Sequence, residues 1–295
     1  MPPLESVPNF SESRDRAVVA ALRAAVEAHV PVLDVHVDDD HDRSVLTFAG
    51  PDDAVVDALV AAVRVAVERI DLRGHDGVHP CIGAADVLPL VPLADEDEPR
   101  ARAAALALAD RLADELGLPV FLYGLLDPER RGPAYFRRGG AAGLAARVAA
   151  GELAPFRGPQ TLHPTAGAAL VGVRRPLVAF NVNLSSRDLD LAREIAGLIR
   201  ERDGGLPGVR ALGLPLERAG LVQVSMNLED WRATPPHVVV ERIAELAAAR
   251  GIELAGSELV GLLPAGAAAL AARRALGLPE LDASRLLESA IVAAT

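Results

Sequence analysis

The strongest constraint on the fold is an order of hydrophobic patterns that occurs twice along the chain. In the second half, alternation of apolar and polar residues predicts strands, and a period near 3.6 predicts helices. Together they give the order β-α-β-β-α-β. The strands are predicted at residues 176–184, 209–216, 220–228 and 252–259, and the helices at 187–202 and 235–250.

The first half shows the same order before an additional helix and strand. Strands are predicted at residues 4–9, 31–37, 43–49 and 85–91, and helices at 15–29 and 51–70. This order is the split βαβ pattern of ferredoxin-like units. We therefore expect an α/β (α+β) protein with two ferredoxin-like βαββαβ subdomains, residues 1–175 and 176–295, and a ligand cleft between them.

Composition excludes several classes of function. The 295 residues carry a net charge of −11, which argues against a general nucleic-acid binder, because such proteins need a basic face. All 30 basic residues are arginines. Without lysine, neither a Schiff base nor the phosphate-binding loop of nucleotide-binding proteins can form.

The sequence also indicates where the protein works. Cys81 is the only cysteine, so no disulfide can form within the chain, as is usual in a reducing cytoplasm. No apolar run approaches the roughly 20 residues that cross a bilayer, and no secretory leader is visible at the N-terminus. We expect a cytoplasmic protein without membrane contact.

Two clusters could bind a metal ion, although other interpretations are favoured. His75 and His79 have the spacing of zinc ligands on a helix, but glycine and proline around them make a helix unfavourable. The DDDHD sequence at residues 38–42 lacks the glycine and the distant glutamate of a calcium loop, so a solvated acidic turn is expected. We predict no metal site.

Polar residues on predicted strands indicate ligand contact. Asn9 and Ser11 follow the first strand, where they could bind substrate or cap the next helix. In the second half, amides and a hydroxyl occupy alternate strand positions and therefore share one face of the sheet. Buried amides are costly unless they are paired, so this face is predicted to contact a ligand. Its residues are Asn181, Asn183, Gln223, Ser225 and Asn227.

His79 lies between Gly77 and Pro80 at the start of a predicted strand. Its ordinary pKa near 6.5 suits proton transfer at neutral pH, so it could act as a general base. The local sequence alone favours the alternative, a structural loop histidine.

Several motifs in order give the chain a resemblance to a known family. They are ESVPNFSES, DHDRSVLTF, ID-L-R-x-H-x-G-x-HP-x-x-GA-x-DV-x-P-x-x-P, PVFLY, AFNVNL, QVSMNL and GSELVGLLP. Together they resemble the formiminotransferases, over residues 4–270. The resemblance implies two α/β subdomains, a dimer, and transfer of a formimidoyl group from N-formimidoyl-L-glutamate to the co-substrate tetrahydrofolate in histidine breakdown. The chain end at Thr295 is expected to leave no room for the cyclodeaminase domain of some relatives.

The resemblance also implies roles for particular residues. His79 corresponds to the family's catalytic histidine, and residues 158–167 correspond to its folate-binding segment. Both substrates carry carboxylates, so an arginine such as Arg43 is expected to bind one of them. The residues of the folate-binding segment are Gly158, Pro159, Gln160, Thr161, Leu162, His163, Pro164, Thr165, Ala166 and Gly167.

The sequence departs from the common family pattern at four positions. Val78 stands where an acid is usual, Cys81 where an arginine is usual, His36 where an aspartate is common, and Ser13 where glycine is usual. These departures leave two alternatives to formimidoyl transfer. One is a diverged paralogue that acts on another folate or one-carbon substrate. The other is a non-catalytic folate-binding protein.

Overall fold

The computed structural model describes residues 2–78 and 80–294, without the side chains beyond residue 291. Within it, the chain forms two compact units, Met1–Arg175 and Pro176–Thr295. Both units contain the βαββαβ order, so the α/β fold with two subdomains is confirmed.

The N-terminal unit contains seven strands and five helices among the described residues. The strands are β1 Leu4–Ser6, β2 Asn9–Phe10, β3 Val32–Asp38, β4 Arg43–Gly50, β5 Ala85–Pro92, β6 Val120–Gly124 and β7 Ala169–Val173. The helices are α1 Arg16–Glu27, α2 Asp52–Arg69, α3 Glu98–Leu116, α4 Pro133–Phe136 and α5 Gly140–Ala149. Local signals set the helix ends. Asp15 accepts hydrogen bonds from the first turn of α1, and Gly117 ends α3 with φ 64°.

The sheet of this unit has a ferredoxin-like centre with a parallel extension. β1 and β2 both lie between β4 and β5, and β3 forms the edge beyond β4. β7 then pairs in parallel with β5, and β6 pairs in parallel with β7. Helices α1, α2 and α3 contribute side chains such as Leu22, Leu59 and Leu108 to the buried core.

The first strand is interrupted, which corrects the prediction of one strand over residues 4–9. Val7 and Pro8 lie between β1 and β2. Proline has no N–H to donate to a neighbouring strand, so the ladder breaks where it occurs. The carbonyl oxygen of Pro8 still accepts a hydrogen bond of 3.2 Å from the amide of Leu46. The break therefore leaves β2 in the same sheet as β1.

The C-terminal unit is an antiparallel sheet with the order β11-β8-β10-β9. Its strands are β8 Val178–Leu184, β9 Val209–Leu216, β10 Leu221–Leu228 and β11 Leu254–Val260. Its helices are α6 Leu189–Ile199, α7 Pro236–Ala248, α8 Ala265–Leu276 and α9 Leu287–Ala294. Val182, Val224 and Met226 point from the sheet into a core with Ile195 of α6 and Ile243 of α7.

In the part of the chain that the structure describes, every helix is too short or too polar to span a bilayer.

Candidate active site

Three segments of the N-terminal unit meet around a small polar cavity. They are β2 with the residues after it, the turn between β3 and β4, and the loop between α2 and β5. The cavity has a volume of about 10 Å³, roughly the space for one water molecule. Its lining residues are Asn9, Phe10, Ser11, His41, Asp42, Arg43, His75, Cys81 and Asp86.

His79, the predicted catalytic residue, lies outside the described residues. The residues before it are held against the turn between β3 and β4. The amide of Val78 donates a 3.4 Å hydrogen bond to the carbonyl oxygen of Asp40. A Cβ atom on Gly77 would come within 2.2 Å of the carbonyl oxygen of His41. Only glycine therefore allows this close approach. Gly77 and Val78 are held against the turn between β3 and β4.

Asp42 connects all three segments. Its backbone is left-handed, with φ 46°, a conformation that aspartate tolerates better than most residues. Its Oδ1 accepts hydrogen bonds of 3.1 Å from both the amide and the hydroxyl of Ser13. Its Oδ2 lies 3.3 Å from Nδ1 of His75. The expectation of a solvated acidic turn is wrong for His41 and Asp42. Both residues are buried, with only 5% and 7% of their surface exposed.

A second carboxylate–imidazole pair orders the same turn. Asp38 accepts hydrogen bonds from the backbone amides of Asp40 and His41, and its Oδ2 bonds to Nδ1 of His41. Burial alone would raise the pKa of Asp38, but the bonds to His41 and Asp40 outweigh it and lower the pKa to about 2. Asp38 is therefore a carboxylate at neutral pH.

Arg43 contributes a positive charge to the cavity wall. Burial lowers the pKa of its guanidinium to about 10, and the nearby charge of Arg137 adds to this effect. Arg43 nevertheless remains protonated at neutral pH, as binding of a substrate carboxylate requires.

Asp86 and Arg137 form a buried ion pair that sequence reasoning missed. Oδ2 of Asp86 accepts a hydrogen bond from Nε of Arg137 at 2.9 Å, and Oδ1 accepts one from the amide of Ile82 at 2.7 Å. Asp86 thus holds the far end of the loop that contains position 79. A signal was present, because Asp86 is a lone carboxylate in an otherwise apolar strand.

Cys81 is a partly buried thiol that lines the cavity. Burial raises the pKa of its thiol, and a hydrogen bond with Ser11 offsets this only in part. Ser11 itself donates to the carbonyl oxygen of Gly83 at 2.8 Å, so it ties β2 to the loop between α2 and β5.

Residues 158–167 dock onto the loop that contains position 79. The amide of Ala84 donates to the carbonyl oxygen of Ala166 at 2.9 Å, and the amide of Leu72 donates to that of Thr165 at 2.9 Å. Gly167 has φ 68°, and a Cβ there would meet the carbonyl oxygen of Ile82 at 2.1 Å. The structure therefore brings the predicted folate-binding segment to the predicted catalytic loop.

This segment changes from exposed to buried along its length. Residues 158–161 and Pro164 are exposed, Leu162, His163 and Thr165 are half-buried, and Ala166 and Gly167 are buried. Nδ1 of His163 accepts a 3.0 Å hydrogen bond from the amide of Ala166, which closes the turn. The exposed part offers backbone and side-chain groups to a ligand.

The remaining predicted site residues belong to local networks. Nδ2 of Asn9 donates to the carbonyl oxygen of Val7 at 2.8 Å. Asn181 and Asn183 lie on β8 of the C-terminal unit, on the sheet face opposite the core. Asn181 bonds to Glu258 and Asn183 bonds to Gln223.

The fold and this polar site define an α/β protein with two ferredoxin-like subdomains of the formiminotransferase type. The family model for the formiminotransferase domain, N-terminal subdomain, matches residues 3–174, and that for the formiminotransferase domain matches residues 179–277. The chain belongs to the formiminotransferase family.

Curated relatives extend this result. The chain is 39% identical over 268 residues to the glutamate formimidoyltransferase of Streptococcus pyogenes serotype M1, covering 90% of each chain. It is 38% identical over 291 residues to the glutamate formimidoyltransferase of Thermoplasma acidophilum, covering 97% of this chain and 96% of the relative. It is also 38% identical to the formimidoyltransferase-cyclodeaminase of Gallus gallus, covering 88% of this chain and 50% of that protein.

Proposed function

We propose that the protein is a transferase that moves the formimidoyl group from N-formimidoyl-L-glutamate to tetrahydrofolate. One observation carries this proposal: two relatives named glutamate formimidoyltransferase align with at least 90% of the chain. The products are 5-formimidoyltetrahydrofolate and glutamate, and histidine degradation supplies the donor.

His79 is the proposed general base and acid. N5 of tetrahydrofolate attacks the amidine carbon of the donor, and His79 accepts the proton that N5 loses. The bond between that carbon and the glutamate nitrogen then breaks, and His79 returns the proton to the departing amine. One N–C bond forms and one breaks, so the transfer is redox neutral and needs no oxidant.

Substrate binding is assigned to polar groups around this step. Arg43 is assigned to a substrate carboxylate, because it lies beside the cavity and stays charged at neutral pH. Residues 158–167 bind folate, and their docking on the 82–84 backbone supports this role. Asn9, Asn181 and Asn183 contribute hydrogen bonds to the substrates.

We further propose that tetrahydrofolate is a co-substrate, that no metal takes part, and that the protein works as a cytoplasmic homodimer. Sedimentation measures the dimer directly. Activity that survives extensive chelation supports the absence of a metal.

The test is release of glutamate from N-formimidoyl-L-glutamate with and without tetrahydrofolate. We expect folate-dependent release in the wild type and a loss of at least 100-fold in His79→Ala. His29→Ala is the matched control, because His29 is exposed at the end of α1. Equal activity in the wild type and His79→Ala contradicts the assigned role of His79.

The alternative is a paralogue with another one-carbon substrate, which the departures at Val78 and Cys81 favour. It predicts that the double change Val78→Glu with Cys81→Arg raises formimidoyl transfer by 10-fold or more. Unchanged transfer in the double variant argues against it.

A further inference from the structure

A row of polar side chains crosses the C-terminal sheet on the face opposite α6 and α7. Glu258 on β11 and Ser225 on β10 both pair in register with Asn181 on β8. One step along the sheet, Gln223 on β10 pairs with Asn183. Neighbouring strands are about 4.8 Å apart, so these side chains are within contact distance of one another.

The hydrogen bonds in this row fix the orientation of the Gln223 amide. Its Nε2 donates to Oδ1 of Asn183 at 2.9 Å and to Oε2 of Glu258 at 3.4 Å. Reversing the amide would place its oxygen against the carboxylate of Glu258, where the two would repel each other. Oε2 of Glu258 also accepts a 3.1 Å bond from Nδ2 of Asn181.

This orientation leaves one strong acceptor unsatisfied. Gln223 is only 1% exposed, and its Oε1 has no hydrogen-bond partner within residues 2–78 and 80–294. A buried polar atom without a partner destabilises the fold, so such atoms call for an explanation. The adjacent Asn183, Ser225 and Glu258 are half-buried, so parts of the same row remain accessible to solvent.

We propose that Oε1 of Gln223 and the carboxylate of Glu258 together bind a planar ligand edge that carries two N–H donors. Two adjacent acceptors, one of them a carboxylate, match such an edge in the way that carboxylates match guanidinium groups. The inference rests on the proposed function for the identity of the ligand. Two substrate groups share this chemistry, the 2-amino-4-oxopyrimidine ring of tetrahydrofolate and the amidine of N-formimidoyl-L-glutamate.

Calorimetric titration of the full chain separates the two sources. The ligands are 6-methyltetrahydropterin, which has the ring without carboxylates, N-formimidoyl-L-glutamate, and glutamate, which lacks the amidine. Glu258→Gln replaces the charged acceptor with an amide. Gln223→Leu removes the unpartnered acceptor. Gln223→Asn is a second variant with a smaller effect on packing. Glu217→Gln is the control, because Glu217 is an exposed carboxylate in the turn between β9 and β10.

We expect Glu258→Gln and a Gln223 variant to raise the Kd of one of the first two ligands by 10-fold or more. Glu217→Gln should stay within twofold of the wild type for all ligands. Unchanged Kd values for both ligands overturn the inference, as does an equal loss of glutamate binding or a wild type that binds neither ligand. Binding is measured without turnover. If the wild type binds a ligand through Gln223 and Glu258 but transfers no formimidoyl group, the proposed function is wrong and this inference still holds.

Discussion

Nδ1 of His75 lies 3.3 Å from Oδ2 of Asp42, with both side chains only 10% exposed. This contact joins the turn between β3 and β4 to the loop that leads to position 79. Oδ1 of the same carboxylate holds Ser13, which follows β2. One side chain thus sets the relative position of three segments, including the loop that leads to position 79.

Replacing Asp42 with alanine should impair both folding and turnover. The change removes a buried charge from its partners and puts alanine at φ 46°, so we expect a loss of about 3 kcal/mol in the free energy of unfolding. The value of kcat should fall 10-fold or more. Asparagine adopts a left-handed backbone more readily than alanine. Asp42→Asn should therefore lose less stability and less kcat than Asp42→Ala. Urea titration and steady-state kinetics measure the two effects.

The control for this prediction is Asp76→Asn, since the Asp76 side chain is 72% exposed. If Asp42→Ala matches Asp76→Asn in both stability and kcat, Asp42 has no positioning role.

Asp38 should make stability depend on pH in the acid range. Its pKa in the folded protein, about 2, is below the ordinary value near 3.9. The carboxylate therefore stabilises the fold above pH 4, and this contribution is lost as the pH falls from about 4 to about 2. Asp38 is half-buried and partly screened by solvent. We therefore expect its ionised form to contribute about 1–2 kcal/mol to the free energy of unfolding.

Urea titrations of Asp38→Asn and the wild type at pH 7 and pH 2.5 test this dependence. The difference in unfolding free energy should shrink at the lower pH. Asp34→Asn is the control, because Asp34 is half-buried on the same strand as Asp38. A difference that stays constant with pH contradicts the assignment.

Gly167→Ala should displace the predicted folate-binding segment, residues 158–167, from the loop that contains position 79. The new Cβ would meet the carbonyl oxygen of Ile82 at 2.1 Å in a left-handed backbone. Gly151→Ala is a matched control, since Gly151 has φ 73° and no atom within 4 Å of a new Cβ. The control should lower the free energy of unfolding by about 1 kcal/mol. Gly167→Ala should lower it by about 3 kcal/mol or more.

The KM for tetrahydrofolate should rise in Gly167→Ala and stay at the wild-type value in Gly151→Ala. Equal losses of stability in the two variants would show that contact with Ile82 is unimportant.

The Cys81 thiol should react slowly with alkylating reagents. Burial raises its pKa, so less thiolate is present at pH 8 than in a free cysteine. We expect iodoacetamide to modify the native protein at least 10-fold more slowly than the urea-unfolded protein, as measured by mass spectrometry. Equal rates would contradict this. Cys81→Ser should retain transferase activity.

Much of the fold was predictable because its signals are local. Alternation marked β8 and β10, and helical periodicity with the Pro51 start marked α2, since each pattern depends on neighbours within a few residues. The interruption of the first strand was missed, although Pro8 was a visible signal. Val7 before Pro8 and Phe10 two residues after it are apolar, and they concealed the break.

The site was less predictable because its contacts join residues that are far apart in sequence. Asp86 and Arg137 are 51 positions apart, and Gln223 and Glu258 are 35 positions apart. Periodicity assigns a side chain to a face of a strand but does not give its partner on another strand. The sequence therefore predicted the polar face with Asn181 and Asn183, but not the carboxylate of Glu258 between the amides.

The position of the first strand in each sheet has a consequence for synthesis on the ribosome. β1 and β2 are made first but lie between β4 and β5, so their pairing is complete only after Pro92 has left the exit tunnel. β8 likewise waits for β11, which ends at Val260. Strands that wait in this way fold slowly and expose unpaired edges meanwhile. The nascent chain should therefore resist proteases in two steps, first the N-terminal unit and then the C-terminal unit.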